Sequence, residues 1–274
     1  MKNKNKRRKR KEEKMKIKEQ ELQNFYKNIE KNKNIQLSTQ IKHFKRMLSE
    51  EFIREHQKNI NWLYISKYQT LSEEFIEEFQ DKVNWIEISS EQKLSESFIR
   101  KFSDKVNWKF ICIFQRFSED FIEEFKTKVD WMRISKYQEL SESFIRKFSD
   151  RVDWDNLCKY QKISENIIRE FEDKIDWHHI SCCQELSEKF IEEFKDKVIW
   201  VYISQNQKLS EEFIKKFQKK LNWHSISQNQ ILSYKFICNF FDKIIFNHLK
   251  YNKKLNLTQE EWDSLEIIIK LTEN

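Results

Sequence analysis

Neither glycine nor proline occurs in this 274-residue chain, although average usage is roughly 7% and 5%. Turns that depend on positive φ, and glycine-rich phosphate loops, are therefore excluded. A mainly helical protein tolerates both absences. Cysteine is sparse as well: Cys112, Cys158, Cys182, Cys183 and Cys238 are too few and too irregular for a disulfide framework. No apolar run approaches the ~20 residues that cross a bilayer. No apolar segment follows the basic start as it would in a secretory signal. The expectation is a soluble, intracellular protein that is not secreted and contacts no membrane.

Charge is present but unevenly placed. The formal net charge is +7, yet residues 1–34 hold 14 Lys and Arg against 5 Asp and Glu, which leaves 38 against 40 for the rest. The body is close to neutral and the basicity belongs to a tail. Residues 2–11, KNKNKRRKRK, carry eight positive charges and no acid. Such a block repels itself and is expected to be disordered or a frayed helix. Its densest part, Lys6, Arg7, Arg8, Lys9, Arg10 and Lys11, reads as a nuclear-targeting signal, as an anchor for nucleic acid or another acidic surface, or as a solubilising tail.

What the chain has in abundance is repetition. LSESFIRKFSDKVNW (94–108) returns as LSESFIRKFSDRVDW (140–154), with two of fifteen positions changed. The true period is 23. Steps of 23 from Leu48 reach nine apolar residues, each followed by Ser, from Ser49 to Ser233. Eight Trp residues keep the same spacing from Trp62 to Trp223, and Phe246 takes that place in the ninth copy. The consensus is L-S-E-x-F-I-x-x-F-x-D-K-V-[ND]-W-x-x-I-S-x-x-Q-x. Nine copies fill 48–254, so the chain is a repeat protein before it is anything else. The divisions expected are a basic tail (1–34), a degenerate N-terminal cap (35–47), the repeats (48–254) and a C-terminal helical cap (255–274).

Within Leu71–Lys93, Ser72 is a good N-cap, and Glu73 and Glu74 suit the positive end of a helix dipole. Their influence is expected to come through helix capping and to depend only weakly on the neighbouring repeats. Phe75, Phe79 and Val83 recur every four residues with Ile76 beside them, a helical stripe. Asn84, or Asp in three other copies, is a second N-cap. Trp85, Ile88, Ser89 and Gln92 then share one helical face. The unit reads as a helix of about ten residues, a tight turn and a helix of about eight. One hairpin cannot bury its apolar face, so neighbours must stack. The fold expected is an all-α solenoid of nine hairpins. The competing reading is a leucine-rich-repeat-like solenoid, in which VNWIEIS is a strand; it would require the position two after Trp to be buried, yet that position holds Tyr, Glu, Phe, Arg, Asn, His, Tyr and Ser in turn. Ser89 and its equivalents, with Cys112 and Cys158 in two copies, fit places of close helix approach. The Gln column from Gln69 to Gln230 fits a hydrogen-bonded ladder. The ninth copy departs from the pattern, with Ile245, Phe246, Lys250 and Lys253 in place of Asn/Asp, Trp, Ser and Gln.

Two sets of positions vary. The pair after Phe-Ile alternates in sign, Glu77-Glu78, Arg100-Lys101, Glu123-Glu124, Arg146-Lys147. Equivalent positions stack in a solenoid, so the alternation either favours correct stacking or is an ordinary solvated face. The second set lies one, two, five and six residues after the Trp, on the outer face of the second helix. It changes from copy to copy and is rich in aromatics, which are enriched at protein interfaces. The candidate partner-binding residues are Tyr64, Tyr68, Phe110, Phe114, Arg133, Tyr137, Tyr160, His179 and Tyr202; unconstrained drift is the alternative. In the sixth copy the strip reads His178, His179, Cys182, Cys183. These are zinc-ligand types, but two adjacent pairs on one short helix diverge by about 100° and do not close a tetrahedron alone. No metal site, cofactor site or catalytic constellation is expected.

The unit LSEEFIEEFQDKVNWIEIS resembles short tandem repeats in uncharacterised proteins of amoeba-infecting giant viruses of the mimivirus type, over about three quarters of the chain. The resemblance implies a viral repeat protein, acting in host cytoplasm, nucleus or virion, and brings no known catalytic or binding residues. The function expected is a non-enzymatic scaffold that binds a protein through the second-helix strip. The alternative is a nucleic-acid binder whose basic tail supplies affinity.

Overall fold

The structure, a computed structural model, describes residue 24 and residues 48–272. The expectations for the basic tail and for the cap at 35–47 lie outside the described residues. The protein is an all-α solenoid of 23-residue helical hairpins. Among the described residues, nine pairs of helices follow one another from Glu50–Glu55 and Trp62–Tyr68 to Tyr234–Asn239 and Phe246–Leu249, followed by Gln259–Thr272. No strand occurs among the described residues. VNWIEIS lies in and just before the helix Trp85–Glu91, which removes the leucine-rich alternative.

Ser caps the first helix in all nine copies; Ser72 Oγ, for example, accepts the N–H of Phe75. Asn or Asp caps the second helix, as Asn84 does by accepting from Ile86 and Glu87. Ile199 and Ile245 stand at that position without a side-chain bond. Both helices are shorter than expected, six and seven residues. The first stops because the carbonyl of Phe79 takes the N–H groups of both Lys82 and Val83, closing the turn early. The ends also explain the absence of glycine. The first helix ends at Phe79 with φ −109° and ψ 28°, and the second at Gln92 with φ −95° and ψ 147°. Neither needs the left-handed conformation that usually brings glycine to a helix end.

By Cα packing the chain divides into two units, residues 1–134 and 135–274. In the described part of the first unit, the core comprises the consensus Leu, Phe, Ile and Val side chains from Leu48 to Phe121, with Trp62, Trp85 and Trp108 partly buried against it. In the second unit the first Phe of each copy (Ile167 in one) and the Ile after it are buried, Phe171, Phe194, Phe217 and Phe240 are half-buried, and Leu265 of the last helix is fully buried. Phe246 meets Trp262 edge to face at 6.1 Å, and Lys250 reaches Glu266 at 3.3 Å. In both units second helices of successive repeats lie side by side, as Trp62–Tyr68 does with Trp85–Glu91 and Trp177–Cys183 with Trp200–Asn206.

Polar side chains lock each repeat to the next. Ser66 Oγ donates to Trp62 O at 2.8 Å and accepts the Asn84 N–H at 2.9 Å, so the small residue also joins two second helices. Cys112 and Cys158 replace this Ser and accept the N–H of Asp130 and Asp176; burial pushes their thiols up to about 11 and about 12. The Gln column is a ladder, but its rungs reach backbone. Gln92 Nε2 donates to Ser66 O and Gln69 O at 2.9 and 2.7 Å, and its Oε1 accepts the Leu71 N–H at 3.1 Å. In the ninth copy this task falls to Asn252, which donates to Ser227 O and Gln230 O, and not to Lys253 at the repeat position. The Trp ring packs on the next repeat's Phe pair, Trp62 on Phe75 and Phe79 at 6.3 and 4.9 Å. The consensus Lys that follows lies over it, Lys82 at 5.9 Å. The same Lys position reaches the preceding repeat's Asp, Lys128 to Asp104 at 2.6 Å and Lys220 to Asp196 at 2.9 Å.

Glu73 corrects the expectation of a weak dependence on neighbouring repeats. Its carboxylate accepts the backbone N–H and hydroxyl of Ser95, the cap of the next repeat. The variable charges correct the expected register. Arg54 pairs with Glu78 at 2.8 Å, Arg100 with Glu124 at 2.7 Å, Arg146 with Glu170 at 2.7 Å and Arg169 with Glu193 at 2.9 Å, while Glu77 meets Lys101 and Glu192 meets Lys216. The first member of each pair meets the second member of the next, 24 residues on. Side chains lean toward the N-terminus of their own helix, so a residue one position later covers a given spot. The mixed pair Arg169-Glu170 thus finds opposite charges on both sides. Arg54, Arg100 and Arg169 also lie 5.0 Å over Phe75, Phe121 and Phe190 of the following repeats.

A charge reversal therefore depends on which member is changed. Lys216→Glu faces Glu192 and is expected to lower the melting temperature, more in low salt, with part of the loss restored by added salt. Lys215→Glu has Asn239 in the corresponding position and is expected to cost less. Equal loss for the two in thermal melts at low salt would show that the offset register has no energetic consequence.

Candidate interaction surface

Ile65, Ile88, Ile111, Ile134, Ile180, Ile203 and Ile226 bury the inner face of the second helices. The residues one and two after each Trp, and five and six after it, are thereby turned outward. In the first unit Leu63, Ile86 and Met132 are 42%, 50% and 54% exposed, and Phe114 is 55% exposed. In the second unit Val201 and Tyr160 are each 48% exposed. These are six of the nine large hydrophobic side chains exposed among the described residues, so apolar exposure there concentrates on this strip.

The residues singled out from sequence divide by position. Phe114 and Tyr160 are exposed. Tyr64, Tyr68, Phe110, Arg133, Tyr137, His179 and Tyr202 are half-buried. The position two after Trp leans on its neighbours, while the position one after Trp carries the most exposed apolar groups. Leu63, Ile86, Met132 and Val201 lie outside the set that aromatic enrichment selects. Their signal was available: they are apolar residues at an unburied helical position.

Within each unit the strip is held by contacts along single helices and between repeats. In the first, Tyr64 and Tyr68 rings lie 5.9 Å apart, Phe110 and Phe114 rings 6.3 Å apart, and Lys67 meets Glu87 at 3.1 Å. Arg133 pairs with Asp130, the cap of its own helix. In the second, Lys136 lies 4.9 Å from the Tyr137 ring and 4.4 Å from the Tyr160 ring. Bonding from Lys159, and then the charge of Lys136, holds the Tyr160 hydroxyl below its ordinary value. Asp155 meets His179 at 3.0 Å, His178 meets the Tyr202 hydroxyl at 2.9 Å and His224 meets His248 at 2.9 Å. Each of these three pairs spans 24 residues, the same diagonal as the charge pairs.

The two cysteines of the sixth repeat are neighbours, with sulfurs 2.8 Å apart. Burial, then the bond with Cys183, pushes the Cys182 thiol up to about 11, so it is a poor nucleophile near neutral pH. A cavity of about 540 Å³ opens in the second unit between Ile244–Phe246 and Glu266 and Ile269 of the last helix. No helix among the described residues is long and apolar enough to cross a membrane. No protein-family model, no functionally characterised protein and no solved structure matches this chain.

Proposed function

We propose that this protein is a non-enzymatic repeat scaffold that binds a protein partner through the outer strip of its second helices. One contrast carries the reading. Framework residues make the same bonds from repeat to repeat, whereas the strip differs in each copy and holds most of the exposed apolar side chains. Helical solenoids offer such surfaces to partners, and aromatic and apolar anchors ringed by polar groups suit protein interfaces better than nucleic acid. The repeat body carries no excess of positive charge, which argues against a backbone-tracking groove for RNA or DNA. The viral origin that the repeat wording implies, and an anchoring or targeting part for Lys6–Lys11, belong to this proposal.

The test compares wild type with a strip variant, Leu63→Ser, Ile86→Ser and Met132→Ser together, and with a chain lacking 1–34. A partner cross-linked to wild type is expected to be lost from the strip variant and kept by the truncation, with unchanged circular dichroism in all three. Salt-sensitive RNA or DNA binding that survives the truncation would overturn the reading in favour of nucleic acid. Equal capture by wild type and strip variant would overturn it too.

A further inference from the structure

We infer that Asp155, Asp176, His178 and His179 form a binding site for one divalent transition-metal ion of the zinc type, fastening the fifth repeat to the sixth. His179 Nδ1 lies 3.0 Å from Asp155 Oδ1 and 3.1 Å from Asp176 Oδ2. A ring nitrogen carries at most one proton and donates well to only one of two such oxygens. Two carboxylates thus flank one nitrogen of a half-buried imidazole, and a cation placed among them satisfies what one proton does not. The second imidazole is close: ligand atoms of Asp176, His178 and His179 lie within 4.8 Å of one another. Tetrahedral zinc, with bonds of about 2.0–2.1 Å, places its ligand atoms roughly 3.4 Å apart. Ligation therefore requires side-chain rotation, for which the exposed Asp155 and His178 have room.

The surroundings fit the donors. Asp176 caps its helix with the other oxygen, Oδ1, which takes the His178 N–H at 2.8 Å and leaves Oδ2 for the ion. The Tyr202 hydroxyl, 2.9 Å from His178 Nε2, orients that ring from the seventh repeat. Two imidazoles with two carboxylates favour zinc, cobalt or nickel over calcium and magnesium, which prefer all-oxygen shells. Taken alone, the adjacent pairs on one short helix diverge. Stacking supplies what that helix lacks, because the 24-residue diagonal brings Asp155 to His179.

The repeats themselves supply variants that fold. Asn84 and Asn107 hold the Asp176 position and still cap their helices. Tyr64 and Tyr202 hold the His179 position, and Lys109 the Asp155 position. Asp176→Asn, His179→Tyr and Asp155→Lys therefore remove ligands without leaving the repertoire of the fold. The probe is Co²⁺ followed by Zn²⁺ displacement, on the full chain freed of metal, with melting temperature read alongside. The expected result is one ion per chain, a visible spectrum without a thiolate charge-transfer band, and a melting temperature raised by saturating Zn²⁺. Each variant should weaken binding at least about tenfold and lose most of the Zn²⁺-dependent rise, whereas Cys182→Ser with Cys183→Ser should change neither. A thiolate band that the double serine variant abolishes would move the ion to the cysteine pair and overturn the assignment. So would unchanged affinity in His179→Tyr, or absence of stoichiometric binding at micromolar metal. The result does not depend on whether the strip binds a protein.

Discussion

Replacing Gln92 with Leu is expected to destabilise the first and second repeats by about 3–6 kcal/mol. The side chain satisfies three backbone groups: the carbonyls of Ser66 and Gln69 in the preceding repeat and the N–H of Leu71 at the start of its own. Gln92 and Gln69 are buried, so water does not replace the lost partners. Each stranded buried group costs about 1–3 kcal/mol. Leucine fills nearly the same volume, which keeps a cavity from confusing the result. Because repeats contact only neighbours, the loss should appear first as local opening. Amide exchange at Leu71 should accelerate with the fall in melting temperature. Gln92→Asn should not rescue, although asparagine does this work at Asn252. There the residue stands one place earlier in its repeat, which compensates for the shorter side chain. A loss below about 1 kcal/mol, with slow exchange kept at Leu71, would show that the ladder is incidental.

Phe190→Ala is expected to cost about 3–5 kcal/mol, the usual range for deleting a buried aromatic ring. Phe190 is fully buried. The Trp177 ring stacks on it at 6.2 Å, Phe194 lies 4.6 Å away, and the Arg169 guanidinium covers it at 5.0 Å. The ring therefore belongs to two repeats, and its removal loosens the joint as well as the helix. The chain contains its own control. Ile167 occupies the equivalent place in the sixth repeat and is also fully buried. Phe190→Ile should accordingly cost only about 1–2 kcal/mol, since much of the volume is kept. Denaturant midpoints for the two variants, compared with wild type, decide the matter. Equal losses would mean that the site rejects any change of shape, contrary to what the sixth repeat shows.

Most of the framework was legible from one chain because the repeat reports each position nine times. A Ser that always precedes the Phe-Ile pair, and an Asn or Asp that mostly precedes Trp, identify two caps without any homologue. The position after Trp was visible as outward facing, since its residue type is unconstrained. Local chemistry of this kind acts over one helical turn, and sequence spacing describes a helical turn well.

What one sequence could not supply was the offset between repeats. A period of 23 places Glu77 opposite Arg100, yet the contact is with Lys101. The same shift sets Asp155 against His179 and makes the half-buried second position of the strip different in kind from the exposed first one. It also sends Gln92 to the backbone of the repeat before it, and Glu73 to the cap of the repeat after it. Periodicity in sequence determined which residues are equivalent, that each unit is a pair of capped helices, and that neighbours must stack to bury Phe, Ile and Val. Only the tertiary structure decided which equivalent residue faces which, because that follows from the rotation and slide of one hairpin on the next. Those are set by the packing of Trp on Phe and of one second helix on another, distances that no spacing in the chain encodes.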